Sequence, residues 1–249
     1  MSRTVNRIID ILELFLQQEG GLSLTEVSRS LGLNPATGSR YLDTLVQRGY
    51  LVESAKKGLY QLGLKTLDFS YATRRNLKFV ELAYMSLSKL SKETNCDVYL
   101  TVLDGNSSLV VEELGYTADM RLNSPVGKRM PLHSTACGKV HLTGMSVEQR
   151  NVVYASTPLE RFTRNTKTTQ EQLEAELETV RQNGVAYNRE EQRLGVNAVA
   201  APVYAGKNQI AAAGIMMPVS RIGPGDIETY ALKIINYTGE ISEIIGRVY

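Results

Sequence analysis

Apolar residues recur at helical spacing at the start of the chain. The stripe predicts an amphipathic helix and consists of Val5, Ile8, Ile9, Leu12, Phe15 and Leu16. Gly20 and Gly21 follow it and predict its end. Ser23 and Glu26 have the spacing of a capping box, which predicts a short second helix that buries apolar residues as far as Leu31.

A third helix is predicted after a tight turn at Gly32. Asn34 can cap it, Pro35 suits its first position, and Gly49 ends it. Two short helices joined by a glycine-containing turn have the pattern of a helix-turn-helix. Two strand patterns, at 50–53 and 59–62, flank a polar turn and predict a hairpin directly after it. Residues 1–63 are therefore expected to form a winged helix-turn-helix domain.

The remainder of the chain alternates between strand and helix patterns. Strands are predicted at 96–103, 108–114, 121–124, 198–204 and 209–217, and the first two and last two of these are joined by hairpin turns. Helices are predicted at 77–93, 134–144, 147–155, 169–182 and 226–247. Helices at both sequence ends of a set of hairpins favour an antiparallel sheet covered by helices, so the expected fold class is α+β.

A further helical pattern, at 64–75, joins these two parts. It is predicted to be a linker, which gives a domain organisation of 1–63, 64–76 and 77–249. A single small winged domain reads too short a DNA site for useful specificity, so we expect a homodimer. The linker helix and the end of the first domain are predicted to form its contact. A core helix of either domain is the alternative.

Composition and charge narrow the classes of protein. The chain has 249 residues, only two cysteines and no apolar run long enough to cross a membrane. It also lacks a secretory signal pattern, so we expect a cytoplasmic protein without a membrane partner. Residues 1–78 carry a net charge of +4 and residues 79–249 a net charge of −2. The positive charge lies where a phosphate-binding surface would need it.

The helix-turn-helix, the basic turn and two arginines near the N-terminus together predict binding to double-stranded DNA. The third helix would enter the major groove, and the hairpin tip would meet phosphates. The predicted contacts are Arg3, Arg7, Thr25, Pro35, Ala36, Thr37, Ser39, Arg40, Thr44, Lys56 and Lys57. Gly38, in the middle of a helix, suggests a close approach to DNA or to the second helix. A small helical subdomain that binds protein is the alternative.

A loop held by Pro131 runs into the start of a predicted helix at residues 134–144. Ser134 and Thr135 lie at that start, where consecutive backbone N–H groups and the helix dipole favour an anion. The small residues Ala136 and Gly138 would let a ligand approach the backbone. The pattern therefore predicts a binding site for a small anion.

Nearly the whole chain resembles the IclR family of bacterial transcription regulators. The matching stretches are 22–27 (LSLTEV), 31–33 (LGL), Thr37, Arg40, 49–51 (GYL), 60–63 (YQLG), 127–139 (GKRMPLHSTACGK), 190–191 (EE), 194–195 (LG) and 200–203 (AAPV). The resemblance implies a GAF-like effector domain and dimers that often pair into tetramers. It also implies control of catabolic operons by a small carboxylate. Independently of the resemblance, a two-fold dimer is expected to bind a pseudo-palindromic operator.

The resemblance further implies which residues hold the effector. Backbone N–H groups at the positions of Ala136 and Cys137 hold the carboxylate in the family. A cysteine often stands at the position of Ala198, and polar side chains often stand near Ile215 and Met217. These departures predict a more apolar pocket that favours an aromatic or longer aliphatic acid. Two further polar contacts are expected from Asn188 and Asn197.

Two other functions fit some of these residues. Cys137 and His133 are four residues apart and could act as a nucleophile and base in an enzyme. No third orienting group accompanies them, and no spacing supplies a set of metal ligands, so neither catalytic residues nor a metal or other cofactor is expected. The second alternative is a constitutive dimeric DNA-binding regulator that takes no ligand.

Overall fold

The computed structural model describes residues 2–16, 18, 20–55, 58–115, 125–223 and 225–248. The chain divides into two compact units, Met1–Asn76 and Leu77–Tyr249. None of the helices formed by the described residues has the length and apolar composition of a membrane span. The predicted strand at 121–124, and Lys56 and Lys57, lie outside the described residues.

The first unit is a helix-turn-helix followed by a small sheet. Its elements are α1 (Arg3–Leu16), β1 (Leu22–Ser23), α2 (Leu24–Ser30), α3 (Pro35–Gln47), β2 (Leu51–Glu53), β3 (Leu59–Leu62) and α4 (Lys65–Asn76). The antiparallel strands lie in the order β1-β3-β2. The buried core consists of Ile11, Phe15, Val27, Leu42, Leu45 and Leu51. Helix α4 belongs to this unit, and Phe69 of α4 packs beside Tyr50 with their ring centroids 5.8 Å apart.

Local capping explains where α2 and α3 begin. Ser23 accepts a hydrogen bond from the Glu26 backbone, and the Glu26 carboxylate accepts one from the Ser23 backbone. Asn34 caps α3 through the Ala36 N–H, with Pro35 as first residue. Gly38 is explained by α2, because a Cβ there would lie 2.6 Å from Ser28 Oγ.

The second unit is a six-stranded antiparallel sheet with helices on both faces. Its elements are α5 (Lys78–Thr94), β4 (Asp97–Asp104), β5 (Ser107–Leu114), β6 (Arg129–Pro131), α6 (Ala136–Thr143), α7 (Val147–Ser156), α8 (Gln170–Asn183), β7 (Ala186–Arg189), β8 (Val196–Ala205), β9 (Asn208–Pro218) and α9 (Asp226–Gly246). The strand order is β6-β5-β4-β9-β8-β7. This α+β architecture confirms the predicted fold class.

The two faces of the sheet pack against different helices. On one face, alternate strand residues such as Val199, Ala213 and Met217 join the apolar side of α5 and α9 in the larger core. On the other face, Ala200 and Ala212 pack against α6 and α8. Because side chains alternate along a strand, neighbouring residues of β8 and β9 belong to different layers.

Three short strands, β1, β6 and β7, were not predicted from the pattern. Each has two to four residues, which is too short for alternation to separate it from a loop. The two arginines near the N-terminus, Arg3 and Arg7, lie in the first two turns of α1 and not in an extended arm before it.

Candidate functional site: a helix-turn-helix surface and a cavity

The first candidate site is the outer surface of α3. Pro35, Ala36, Arg40 and Thr44 are exposed there, and Thr37 and Ser39 are half-buried beside them. Thr25, at the start of α2, is also exposed. The buried side of α3 holds Leu42 and Leu45 in the core, so packing orients the polar side outward. Small and polar side chains on one face of a helix are what approach to a DNA groove requires.

The two arginines of α1 differ in what they contact. Arg3 is exposed, whereas the half-buried Arg7 donates a hydrogen bond to the Leu31 carbonyl at the end of α2. Both border an open groove that Thr37 also lines. Arg7 therefore connects α1 to the end of α2. Arg3 is more exposed than Arg7 and so is more accessible to a phosphate.

The second candidate site is a cavity between the sheet and the start of α6. The cavity is open to solvent on one side. Its lining is mainly apolar and consists of Tyr99, Thr101, Ser108, Val110, Met130, Thr135, Ala136, Cys137, Asn188, Gln192, Val196, Ala198, Val199, Gly214, Ile215 and Met216. No lysine or arginine is among these described lining residues. Among these residues, an anion would meet backbone N–H groups and neutral polar side chains.

The start of α6 presents such groups. Thr135 is the N-cap, and its hydroxyl accepts a hydrogen bond from the Gly138 N–H at 3.1 Å. Ala136 and Cys137 precede Gly138 in the first turn, where N–H groups have no partner within the helix. Both residues line the cavity. Gly138 does not line it, because a Cβ at Gly138 would lie 2.4 Å from the Leu132 carbonyl oxygen.

The structure brings six of the nine predicted effector residues to this cavity. They are Thr135, Ala136, Cys137, Asn188, Ala198 and Ile215, although the Ile215 side chain also belongs to the core on the opposite face. The prediction of Met217 is wrong, because its side chain packs into that core. Met216 faces the cavity in its place.

Ser134 and Asn197 also lie outside the cavity. Ser134 is fully buried and is not among the lining residues. Asn197 alternates with Ala198 along β8, so its side chain points to the other face of the sheet. Ala198 of β8 and Met216 of β9 are paired across the hairpin, so their side chains lie on the same face of the sheet. Once that face is known to line the cavity, alternation identifies the other lining residues of the two strands.

A buried ion pair connects the elements that form one wall of the cavity. Lys139 Nζ lies 2.7 Å from both carboxylate oxygens of Glu191, 2.6 Å from Glu176 Oε1 and 2.8 Å from the Tyr187 carbonyl oxygen. Lys139 is completely buried. Asn188, which lines the cavity, accepts a hydrogen bond from the Glu191 N–H at 2.8 Å. Lys139 therefore ties α6 to α8 and to the end of β7.

The geometry does not pair Cys137 with His133. His133 precedes α6, and its ring stacks on Phe162 and lies 2.9 Å from the Glu160 carbonyl oxygen, so it does not share a helix face with Cys137. Burial raises the pKa of the Cys137 thiol to about 12, which leaves it protonated at neutral pH. Within the described ranges there is no group of three or more His, Cys, Asp or Glu side chains that could hold a metal ion.

Family models match both units. The bacterial transcriptional regulator IclR C-terminal domain matches residues 70–243, and the IclR helix-turn-helix domain matches residues 4–55. The chain belongs to the IclR family. It is therefore a DNA-binding transcription regulator of the IclR type, as the resemblance of its sequence predicts.

Related regulators from other bacteria align with this chain over most of their length. The chain is 29% identical over 245 residues to the HTH-type transcriptional regulator XynR of Escherichia coli, with 98% of this chain and 97% of XynR covered. It is 32% identical over 219 residues to the HTH-type transcriptional regulator Rv1719 of Mycobacterium tuberculosis, with 88% and 83% covered.

A solved structure of another IclR homolog shares the fold of this chain. An IclR homolog from Microbacterium hydrocarbonoxydans, complexed with 4-hydroxybenzoate, superposes with a TM-score of 0.85. The match covers 98% of this chain and 99% of that chain at 22% identity. The ligand belongs to that homolog, and the likeness to it shows the fold.

Proposed function

We propose that this IclR-type regulator binds a pseudo-palindromic operator as a homodimer, and that a small carboxylic acid in the cavity of the second unit modulates this binding. The observation that carries the proposal is that Ala136 and Cys137, in the first turn of α6, line an apolar cavity. A carboxylate gains from both the N–H groups and the helix dipole there. The acid would control a catabolic operon, and the protein would act on DNA in the cytoplasm.

The lining favours an acid with an apolar body. Ala198, Met216 and Val110 offer apolar surface, and no cationic side chain of the described lining reinforces the carboxylate contact. Burial of a ring or a chain therefore has to supply most of the binding free energy. Glyoxylate and pyruvate are too small and polar to gain from it, whereas aromatic and longer aliphatic acids fit this chemistry. The 4-hydroxybenzoate bound to the structural relative supports the aromatic choice.

The carboxylate site is tested by Ala136→Pro. Position 136 is the first residue of α6, where proline is well tolerated, and Thr135 has the extended conformation (φ −118°, ψ 148°) that proline requires before it. The variant should therefore keep the helix and remove one N–H. Ala136→Val adds similar bulk and keeps the N–H, so it is the matched control. Thermal-shift and calorimetric titrations with glyoxylate, pyruvate, benzoate, phenylacetate and hexanoate measure the effect.

We expect wild type and Ala136→Val to bind benzoate, phenylacetate or hexanoate more tightly than pyruvate, and Ala136→Pro to lose that binding. Met216→Gln should lower the affinity for benzoate, phenylacetate and hexanoate, and so reduce the ratio of their affinities to that of pyruvate. No stabilisation by any acid would favour a constitutive regulator without a ligand. If Ala136→Pro binds the acids as tightly as wild type does, the carboxylate binds somewhere other than the start of α6.

The DNA surface is tested by Arg40→Ala. If Arg40 makes a bidentate guanine contact, its loss should weaken operator binding by about 1–3 kcal/mol and relax preference at one position. Arg247→Ala removes the same charge from an exposed position in the second unit and is the control. Lys56→Ala and Lys57→Ala should weaken all DNA sequences alike and lower the salt dependence. Unchanged affinity in all three α3 and hairpin variants would contradict the groove assignment.

A further inference from the structure

A groove beyond the C-terminal end of α6 is separate from the cavity at its start. It lies between the β4–β5 turn, α7 and the start of β9, and we call it the α6–α7 groove. None of the described residues that line it also lines the cavity. Leu103, Met145 and Ile210 give it apolar walls. Its described lining includes no Asp, Glu, Lys or Arg, so the groove suits an uncharged ligand.

Two carboxamide groups line the α6–α7 groove with their amino ends already bonded to the protein. Gln209 Nε2 donates to the Val140 carbonyl oxygen at 3.1 Å, and Asn106 Nδ2 donates to Ser156 Oγ at 2.8 Å. The Ser156 hydroxyl donates to the Val152 carbonyl oxygen at 2.7 Å, so it can only accept from Asn106. These partners fix both amide orientations. Gln209 Oε1 and Asn106 Oδ1 accept no hydrogen bond from the described residues, so both can accept one from a ligand.

His141 supplies a third acceptor to the groove. Its Nε2 lies 2.9 Å from Thr101 Oγ1, and that hydroxyl donates to the Ala212 carbonyl oxygen at 3.3 Å. Because the hydroxyl has one proton, both contacts are satisfied only when Nε2 carries the ring proton. Burial lowers the pKa of His141 to about 4, so Nδ1 is an unprotonated acceptor at neutral pH. No group in the described ranges donates to Nδ1, although the side chain is only 4% exposed.

Gln149 of α7 adds a donor to these three acceptors. Its Oε1 accepts a hydrogen bond from the Ser146 N–H at 2.8 Å in the capping box of α7, so Nε2 is the end left for a ligand. Gly144 keeps space beside one of the acceptors, because a Cβ there would lie 2.7 Å from Gln209 Oε1. The groove therefore combines three acceptors and one donor with apolar walls and no charge. Several hydroxyl groups on a carbon skeleton match this combination.

We propose that the α6–α7 groove is a second ligand site, which binds a neutral polyol such as a sugar or a sugar alcohol. The hydroxyl groups of the polyol donate to the three acceptors and accept from Gln149, and its C–H surface packs on Leu103 and Ile210. A cation would meet the acceptors without a carboxylate to balance its charge, and an anion would meet mostly acceptors. Thr101 also lines the cavity, so His141 joins the two sites by one hydrogen bond. The proposal does not depend on the carboxylate site.

Methionine methyl groups report on the two sites separately. Met145 lines the α6–α7 groove, whereas Met130 and Met216 line the cavity. The full-length protein, labelled with ¹³C at its methionine methyls and assigned by leucine substitution, is titrated by NMR with methyl β-D-glucopyranoside and sorbitol. Gluconate and glucamine are titrated as the anionic and cationic counterparts of sorbitol. The two neutral polyols should shift the Met145 signal and leave the Met130 and Met216 signals unchanged. Gluconate and glucamine should bind about tenfold more weakly or not at all.

Gln149→Glu tests the donor without disturbing the fold. Glutamate at this position still accepts from the Ser146 N–H, so the capping box is kept and only the groove's donor becomes a charged acceptor. Gln172→Glu makes the same substitution at the same capping position of α8, outside the groove, and is the matched control. Gln149→Glu should lower the affinity for both neutral polyols by about tenfold, and Gln172→Glu should retain the wild-type affinity.

Four results would overturn the proposal. They are no shift of the Met145 signal with either neutral polyol, shifts of Met130 and Met216 in place of Met145, equal affinity for sorbitol and its charged counterparts, and unchanged affinity in Gln149→Glu. All four leave the proposed function intact, because that function is tested with carboxylic acids at the start of α6.

Discussion

Burial controls the chemistry of single side chains in the second unit, and His141 shows it most clearly. Its ring lies within α6, 2.9 Å from the Thr101 hydroxyl, and desolvation lowers its pKa to about 4. The unfolded chain protonates the same ring near pH 6.5. Because the folded-state pKa is the lower one, the neutral ring stabilises the fold fully above pH 6.5. That contribution is lost as the pH falls from 6.5 towards 4.

His141→Gln should therefore flatten the acid side of the stability profile. Between pH 7.5 and pH 5.0, wild type should lose about 2 kcal/mol more unfolding free energy than the variant, since glutamine keeps a donor for Thr101 and does not titrate. Urea unfolding of the second unit at the two pH values measures this difference. Equal losses would mean that the His141 ring is protonated in the folded protein as readily as in the unfolded chain.

Gly38 and Gly239 occupy helix interiors for different reasons. In α3, a Cβ on Gly38 would lie 2.6 Å from Ser28 Oγ and 3.0 Å from Leu24 Cδ1, so α2 and α3 pack with no room for a methyl group. In α9, a Cβ on Gly239 would meet nothing within 4 Å. Helix propensity favours alanine at both positions by about 1 kcal/mol, and only the packing differs.

Gly38→Ala should destabilise the first unit by roughly 1–3 kcal/mol, because a crowded contact between helices outweighs propensity. Gly239→Ala, the control, should stabilise the second unit by about 0.5–1 kcal/mol. Thermal unfolding monitored by circular dichroism measures both. Stabilisation in Gly38→Ala would show that α2 can move aside at little cost, and the contact would then no longer explain the glycine.

Contacts between elements distant in sequence carry part of the stability of the cavity. Lys139 and Glu191 are 52 residues apart, and both are buried. Lys139→Met should destabilise the second unit by about 3–5 kcal/mol, because the buried Glu191 carboxylate loses its close cation and keeps only the partly exposed Lys167, whose Nζ lies 3.9 Å from Oε2. Lys233→Met breaks a partly exposed pair with Glu93 in the same unit and should cost less than about 1 kcal/mol. Chemical denaturation compares the two.

Adding Glu191→Gln to Lys139→Met should restore part of the loss, because it removes the buried negative charge that Lys139 neutralised. A single and a double variant of equal stability would show that the carboxylate reaches water once the lysine is gone. The Asn188 side chain accepts a hydrogen bond from the Glu191 N–H. Titrating the same variants with the carboxylic acids of the proposed function measures whether their affinity for the cavity depends on this arrangement.

The elements that the sequence predicts well are those with local signals. The capping box at Ser23 and the Asn34-Pro35 start of α3 act within four residues, and both occur as predicted. The face of β9 could not be predicted. Residues 210–217 are apolar or small throughout, since the strand is buried on both sides, so alternation gives no sign of which residues meet the cavity. That ambiguity led to Met217 in place of Met216.

Which other residues line the cavity or support it depends on strand pairing and helix packing, and these are not encoded in any local sequence pattern. Ser108 looks like an ordinary polar strand residue until β4 and β6 flank β5 and bury it. The partner of Lys139 is likewise set by tertiary packing. The sequence therefore predicts where the cavity opens, at the start of α6, and the structure adds which side chains line its walls.

At the scale of the whole molecule, the first unit carries apolar surface that its own core does not use. None of the residues of α4 is buried, and Leu67 and Tyr71 are 62% and 68% exposed. Val5 and Ile9 of α1 are about half exposed as well. Apolar surface of this extent in a DNA-binding unit is typical of a contact that a second copy covers. We therefore expect α1 and α4 to supply the dimer contact of the proposed function.

Leu67→Glu together with Tyr71→Glu should dissociate this contact, because two charges would be buried in an apolar interface. Light scattering after gel filtration measures the mass, and footprinting measures the DNA site. Wild type should protect two half-sites whose centres lie about 10 base pairs, or a multiple of that, apart. The double variant should protect weakly or not at all, because each unit alone contacts one half-site with too little affinity.

Val152→Glu introduces the same charge at a position in the second unit that is 66% exposed, and should leave both the mass and the footprint unchanged. The two measurements separate three cases. A smaller mass with a lost footprint supports α1 and α4 as the contact through which dimerisation enables operator binding. An unchanged mass with an unchanged two-part footprint places the dimer contact elsewhere in the chain. A monomeric wild type with a single short footprint contradicts dimeric recognition itself, since two-fold symmetry in the protein is what a palindromic operator reflects.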